Sequence, residues 1–189
     1  MDPGMVILLA VLAGLACVGI LVAVQYNALV RLRNHCDESW SGIDTELKRR
    51  YDLIPNLVST VKGYAKHEQD VLERVIQARN TALANTGSPE SQARDENALI
   101  GQLRQLFALA ENYPDLKANQ NFLQLQGELV NTEDRIQRAR RFYNANVRDL
   151  NTRIEVFPSN LIANWFGFQK KELFEVEDAA MRQAPEVKF

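Results

Sequence analysis

The chain has 189 residues, 24% of them charged, and a net charge of −2, so no overall basic field recruits nucleic acid. Its two cysteines, Cys17 and Cys36, lie several helical turns apart, which excludes a disulfide framework. Nine glycines, six prolines and almost no strand-like alternation exclude a β architecture and leave an all-α chain of one domain behind its first segment.

That first segment is Met5 to Val24, 20 residues with no charge, no Ser, Thr, Asn or Gln and no Pro. At ~1.5 Å per residue it covers the ~30 Å hydrocarbon core of a bilayer, and it has no polar face to suit a soluble core. A cleaved signal peptide needs a basic start and a shorter apolar run, and residues 1–4 carry no Lys or Arg. Gly14-Leu15-Ala16 ahead of Cys17 is a poor lipobox and lies mid-span. The segment therefore reads as an uncleaved transmembrane helix. Basic residues follow it at Arg31, Arg33, Lys48, Arg49 and Arg50 and none precedes it, which puts residues 1–4 outside and the body in the cytoplasm of a bacterial inner membrane. Gly14 and Gly19 stand among small residues, close to a small-xxx-small packing face, and predict association with a second copy in the membrane plane.

Beyond Val24 an apolar stripe at spacings of three and four runs through Leu29, Leu32, Cys36, Trp40, Ile43, Leu47, Tyr51, Ile54, Val58, Val61 and Ala65 to Leu72, Val75 and Ala82. No turn signal separates it from the span, so the first soluble helix continues the membrane helix. Pro55 should kink or end it. The stripe keeps phase across Pro55, which favours a kink; Asp52 as a cap with Pro55 in a new first turn is the alternative. Asn85 to Pro89 is a turn, with Ser88 as N-cap and Pro89 opening a helix to about Glu111. Its predicted face is Ala93, Ile100, Leu103, Phe107 and Ala110. After a break at Asn112 to Asp115, a last long helix runs from about Asp115 to Val156. Its stripe is Phe122, Leu125, Leu129, Thr132, Ile136, Ala139, Tyr143, Val147, Leu150, Ile154 and Phe157, coiled-coil-like in spacing. Pro158 stops it. Four regions follow: 1–4 external, 5–24 the span, 25–158 an elongated bundle of long helices, and 159–189 a tail.

The tail sets Trp165, Phe166, Phe168, Phe174 and Phe189 among Lys and Glu, with Gly167 interrupting the first cluster and Pro185 barring a long final helix. These aromatics either pack back on the bundle or dock to a membrane-protein partner or the bilayer interface. The runs Lys48-Arg49-Arg50 and Arg135, Arg138, Arg140 and Arg141 read as solvated faces paired with Asp44, Asp52, Glu133 and Asp134, or as contacts to anionic lipid. His67-Glu68 opens like a zincin motif, but Val71 stands where the second His belongs, so no metal site forms. No phosphate loop and no nucleophile–base arrangement occurs. The expectation is a non-enzymatic chain without cofactor.

One long motif is more specific. Asp44-x-x-Leu47-Lys48-Arg49-Arg50-Tyr51-Asp52-Leu53-Ile54-Pro55-Asn56-Leu57-Val58 continues into Val61-Lys62-Gly63-Tyr64-Ala65-x-His67-Glu68. With Asn121-Phe122, Thr132-Glu133, Arg140-Arg141-x-Tyr143-Asn144 and Phe157-Pro158 it resembles the LemA family over nearly the whole chain. The resemblance implies one N-terminal span, a short external N-terminus and a cytoplasmic antiparallel four-helix bundle. It moves the expectation at Pro55 toward a true break or strong bend. It implies no catalytic residue. It also implies work in membrane organisation, and company with a membrane protease.

Overall fold

A computed structural model describes residues 2–175. Every regular element among them is helical, with no strand: α1 (Pro3–Tyr64), α2 (Gln69–Ala84), α3 (Pro89–Ala110), α4 (Pro114–Lys117), α5 (Gln120–Glu155) and α6 (Ser159–Trp165). Pro185 and Phe189 of the tail lie outside the described residues. Two compact units form, each with its own core.

The first unit holds residues up to Ser41 together with Phe142–Lys171. Leu29 and Cys36 of α1 are buried with Tyr143, Val147, Leu150 and Ile154 of α5 and Ile162 and Ala163 of α6. Trp40 packs on Tyr143 with ring centroids 5.3 Å apart. Asn151 anchors the chain after α6: its side-chain amide donates to Lys171 O at 2.9 Å and its Oδ1 accepts from Lys171 N at 2.9 Å. The predicted stripe runs two residues past the end of the helix. α5 stops at Glu155, and Phe157, beyond it, is exposed rather than part of the core.

Cys36 is fully buried, and burial pushes its thiol above the ordinary range, with Lys171 opposing and Asp37 adding to the shift. Only a thiolate reacts readily with iodoacetamide. Folded protein in detergent should therefore leave Cys36 unlabelled at mildly alkaline pH, and urea should expose it. Full labelling without urea, read by mass spectrometry, would contradict the burial.

The second unit holds Gly42–Arg141 and the described residues from Glu172. Its core takes Ile43, Leu47, Ile54, Leu57 and Val61 from α1, Leu72 and Val75 from α2, Leu99, Leu103 and Leu106 from α3, Leu116 from α4, and Phe122, Leu129 and Ile136 from α5. Leu57 takes the buried position that the stripe assigned to Val58. Phe174 is also fully buried. Ser88 caps α3 as expected, its Oγ accepting from Ser91 N, with Pro89 in the first turn. The start of the last long helix is displaced. α4 makes a single turn, and Asn119 then caps α5 by accepting from Phe122 N at 3.0 Å through Oδ1.

Pro55 neither ends nor begins a helix: α1 passes through it to Tyr64, and the chain turns at residues 65–68. A proline inside a helix removes the donor that the carbonyl four residues earlier would use. That carbonyl belongs to Tyr51, and Arg79 of α2 replaces the missing donor, its Nε donating to Tyr51 O at 3.1 Å. The replacement explains why a breaker by composition breaks nothing here.

Candidate functional site

The second unit buries a polar cluster where an apolar core is the default. On α1, Arg50 lies between Leu47 and Ile54 on the core face and is only 2% exposed. On α3 the inward row is Gln92, Glu96, Leu99, Leu103, Leu106 and Ala110, all buried. This row has heptad spacing, but its first two members are polar. It corrects the predicted face: Ala93, Leu103 and Ala110 are buried, whereas Ile100 and Phe107 sit half-buried at its edge.

Glu96, 0% exposed, is the centre. Its Oε2 accepts from Arg50 Nη2, and its Oε1 accepts from the Tyr51 hydroxyl. Gln92 Nε2 lies 2.9 Å from Glu96 Oε1, 3.1 Å from the Tyr51 hydroxyl and 3.0 Å from Ala82 O. One amide thus joins α1, α2 and α3. Arg50 Nη1 donates to Glu133 Oε2 of α5 at 2.6 Å, so a single guanidinium holds carboxylates from two other helices. Such charge-assisted bonds are roughly twice as strong as neutral ones. Their chief effect is on register. Sliding α3 by one turn sets Arg50 against Leu99 or Gln92 and strands a buried charge.

Tyr51 holds its proton well above the ordinary tyrosine range. Burial is the main cause, and the Glu96 carboxylate adds to it. In an unfolded chain the phenol loses its proton near pH 10.0, while the folded one keeps it. This contribution to stability is complete below that pH and is lost as pH rises beyond it. Tyr51→Phe should show a shallower fall in urea midpoint above pH 10.0 than wild type. Equal alkaline slopes would show that Tyr51 is not the group responsible.

Beside the cluster, α3 and α5 leave a cleft of about 230 Å³, with Arg50 at its floor, Leu103, Phe107, Leu129 and Val130 as walls, and Arg104 and Arg140 at its sides. It is smaller than the ~300–1,000 Å³ typical of small-molecule sites. Glu133 is its lone carboxylate and is engaged by Arg50. The lining holds no Ser, Thr, Cys or His that could serve as a nucleophile. Among the described residues no three His, Cys, Asp or Glu side chains gather as a metal-ligand set. His67 is exposed in the turn before α2, and Glu68 accepts from the Tyr113 hydroxyl at 3.4 Å.

The expected interaction residues separate. Lys48 is exposed and pairs with Asp44 at 2.7 Å, and Arg49 is half-exposed, 3.8 Å from Glu46. Arg50, grouped with them as a surface residue, is instead the cation of the core. A Cβ placed on Gly14 or Gly19 would meet nothing within 4 Å. Phe174 is core, Phe166 and Phe168 pack on Tyr26 with centroids 4.8 and 5.8 Å away, and Trp165 points outward, 85% exposed. Gln92, Tyr51 and Glu96 were not singled out as site residues from the sequence. The signal that finds them is the heptad row on α3 when polar residues are admitted to it.

α1 also contains a segment long and apolar enough to cross a membrane, with a mean hydropathy of 3.0 over an 18-residue window and none of that window buried. The chain belongs to the LemA family, whose profile matches residues 39–189. It is 30% identical over 162 residues to Protein LemA of Metamycoplasma hominis, an alignment covering 85% of this chain and 70% of that one. It is 26% identical over 180 residues to Magnetosome protein MamQ 2 of Paramagnetospirillum magneticum, and 25% identical to Magnetosome protein MamQ of Magnetospirillum gryphiswaldense. Both alignments cover 82% of this chain and 66% of the relative, so the chain spans just under two thirds of these two proteins.

Proposed function

We propose that this protein is a single-pass, membrane-anchored helical adaptor without enzymatic activity, working in membrane organisation and assembling with copies of itself. The observation that carries the reading is the apolar segment from Met5 to Val24, every residue of which except the half-buried Val22 is left exposed by the rest of the chain. About 20 uncovered apolar residues are stable only in lipid. The basic residues after the segment favour a cytoplasmic body, whose second unit this reading takes as an antiparallel four-helix bundle. Gly14 and Gly19, where an added Cβ would meet nothing, suit close approach of a second span. The magnetosome names of two relatives fit membrane organisation.

The test is alkaline carbonate extraction of bacterial membranes containing the full chain. The protein should stay in the pellet, and a chain lacking residues 1–24 should be soluble. Release of the full chain by carbonate refutes the anchor. Mass measurement in gentle detergent tests assembly: monomer at all concentrations removes self-association, and unchanged assembly after Gly14→Leu and Gly19→Leu together removes the glycine face as its contact.

A second reading, regulation of a membrane protease or transporter, draws on the exposure of Trp165 and Phe166. Deleting residues 165–189 should then remove one dominant co-purifying partner while helical content in the body is kept. An unchanged partner set ends that reading.

A further inference from the structure

The chain between α5 and residue 168 is arranged the wrong way round for water. Ser159, Ile162 and Ala163 of α6 face inward and are buried. Leu161 and Trp165, one turn apart on α6, are 57% and 85% exposed, and Phe157, in the turn just before α6, is 79% exposed. Val156 adds to the patch at 41% and Phe166 at 50%. So many large exposed apolar side chains in one short segment mark a contact surface. Gly167 fixes this presentation. Its φ of +71° is a left-handed cap, and Phe168 N donates to Ala163 O at 2.9 Å while Gly167 N donates to Asn164 O at 3.3 Å. The cap reverses the chain, so Phe168 turns in and Trp165 stays out.

The height of this patch on α1 identifies what covers it. Phe166 and Phe168 pack on Tyr26, and Arg153 of α5 reaches Gln25, its Nη2 donating to Oε1 at 2.5 Å. Gln25 and Tyr26 directly follow Val24, the last residue of the apolar segment. Tyr26 is thus ~3 Å of helix rise past the hydrocarbon boundary. The headgroup layer beyond that boundary is roughly 5–8 Å deep on each side. Arg33, whose guanidinium lies 5.4 Å from the centre of the Phe168 ring, adds a cation beside the same aromatic group.

We propose that Phe157, Leu161 and Trp165 form an interfacial collar that lies in the bilayer headgroup layer beside the emerging span. The inference rests on the anchoring reading above. It makes the bilayer, not a second protein, the occupant of the aromatic patch, and it gives the first unit a second hold on the membrane. Trp is suited to this position because its ring is apolar and its N–H needs water or headgroup oxygen.

The experiment uses the full chain in phosphatidylcholine–phosphatidylglycerol vesicles. The chain has two tryptophans, Trp40 and Trp165, so the difference between wild type and W165F isolates Trp165. A Trp40→Phe variant provides the same reading by direct emission. Vesicles brominated near the acyl carbonyls should quench Trp165 strongly, those brominated near the chain ends weakly, and aqueous iodide little. Free quenching by iodide with none by bromolipid overturns the collar. Shielding from both overturns it too, since a protein then covers the patch. Flotation of the same vesicles separates the two readings. Chain that does not float refutes the anchor. Chain that floats with Trp165 in water, or under protein, refutes the collar alone.

Discussion

Replacing Glu96 with alanine should lower the unfolding free energy of the full chain by about 3–5 kcal/mol, the cost of breaking a buried ion pair from one side. Arg50 keeps Glu133, but Nη2 of a guanidinium only 2% exposed then has no acceptor, and the Tyr51 hydroxyl loses the same carboxylate. The drop is read as an earlier urea midpoint in mild detergent, followed by far-ultraviolet circular dichroism. The contrasting variant removes the polar demand altogether. Arg50→Met, Tyr51→Phe and Glu96→Leu in one chain should recover most of the loss, because apolar replacements leave no buried charge to compensate. A loss from Glu96→Ala within about 1 kcal/mol, the range of a surface pair, would show that water reaches the cluster.

The second large effect is conditional. Arg79→Ala should cost about 1–3 kcal/mol, because Tyr51 O then has neither a helical donor nor the guanidinium. In a Pro55→Ala background residue 55 again carries an N–H, the helix supplies the donor, and the same Arg79→Ala change should cost little. Pro55→Ala alone should stabilise α1, by up to ~3 kcal/mol if the proline's whole penalty is relieved. A double-mutant cycle on the four chains measures the coupling. Equal losses in both backgrounds would mean that Arg79 acts through some other contact.

These two places are where local pattern and tertiary structure part. The apolar row of α1 was legible because its spacing holds from Leu29 to Val61, and most of its members are buried while Leu32, Trp40 and Val58 are half-buried. Ser88, Pro89 and the turn before them were legible because capping is local chemistry. The family was legible from the motif around Tyr51 to Val58. Arg50 was hidden by its neighbours: three consecutive basic residues look like one patch, yet successive residues on a helix point about 100° apart, so Lys48, Arg49 and Arg50 cannot share a face. Its place between Leu47 and Ile54, at spacings of three and four, was the available sign. Glu96 and Gln92 were hidden because the face of α3 was chosen by apolar residues alone. Arg79 could not be read at all, since no local rule links it to a proline 24 positions earlier. The turn at residues 65–68 carries no proline, and its only nearby glycine, Gly63, is still inside α1. The exposure of Trp165, as against Phe174, depends on the reversal at Gly167, and an aromatic count does not register it.

The trio of Arg50, Glu96 and Glu133 also constrains how the sequence can drift. The apolar alternative is within reach of stability, but it needs two or three changes at once. Losing Arg50 strands Glu96 in the core, and losing Glu96 leaves Nη2 of Arg50 without an acceptor, so either chain folds poorly before the next change can arrive. A population of sequences descending from this one is therefore confined by the valley around the cluster rather than by any benefit at its summit. Chains that carry the buried pair of Arg50 and Glu96 should keep both residues or have exchanged them together, whatever else in the chain has changed.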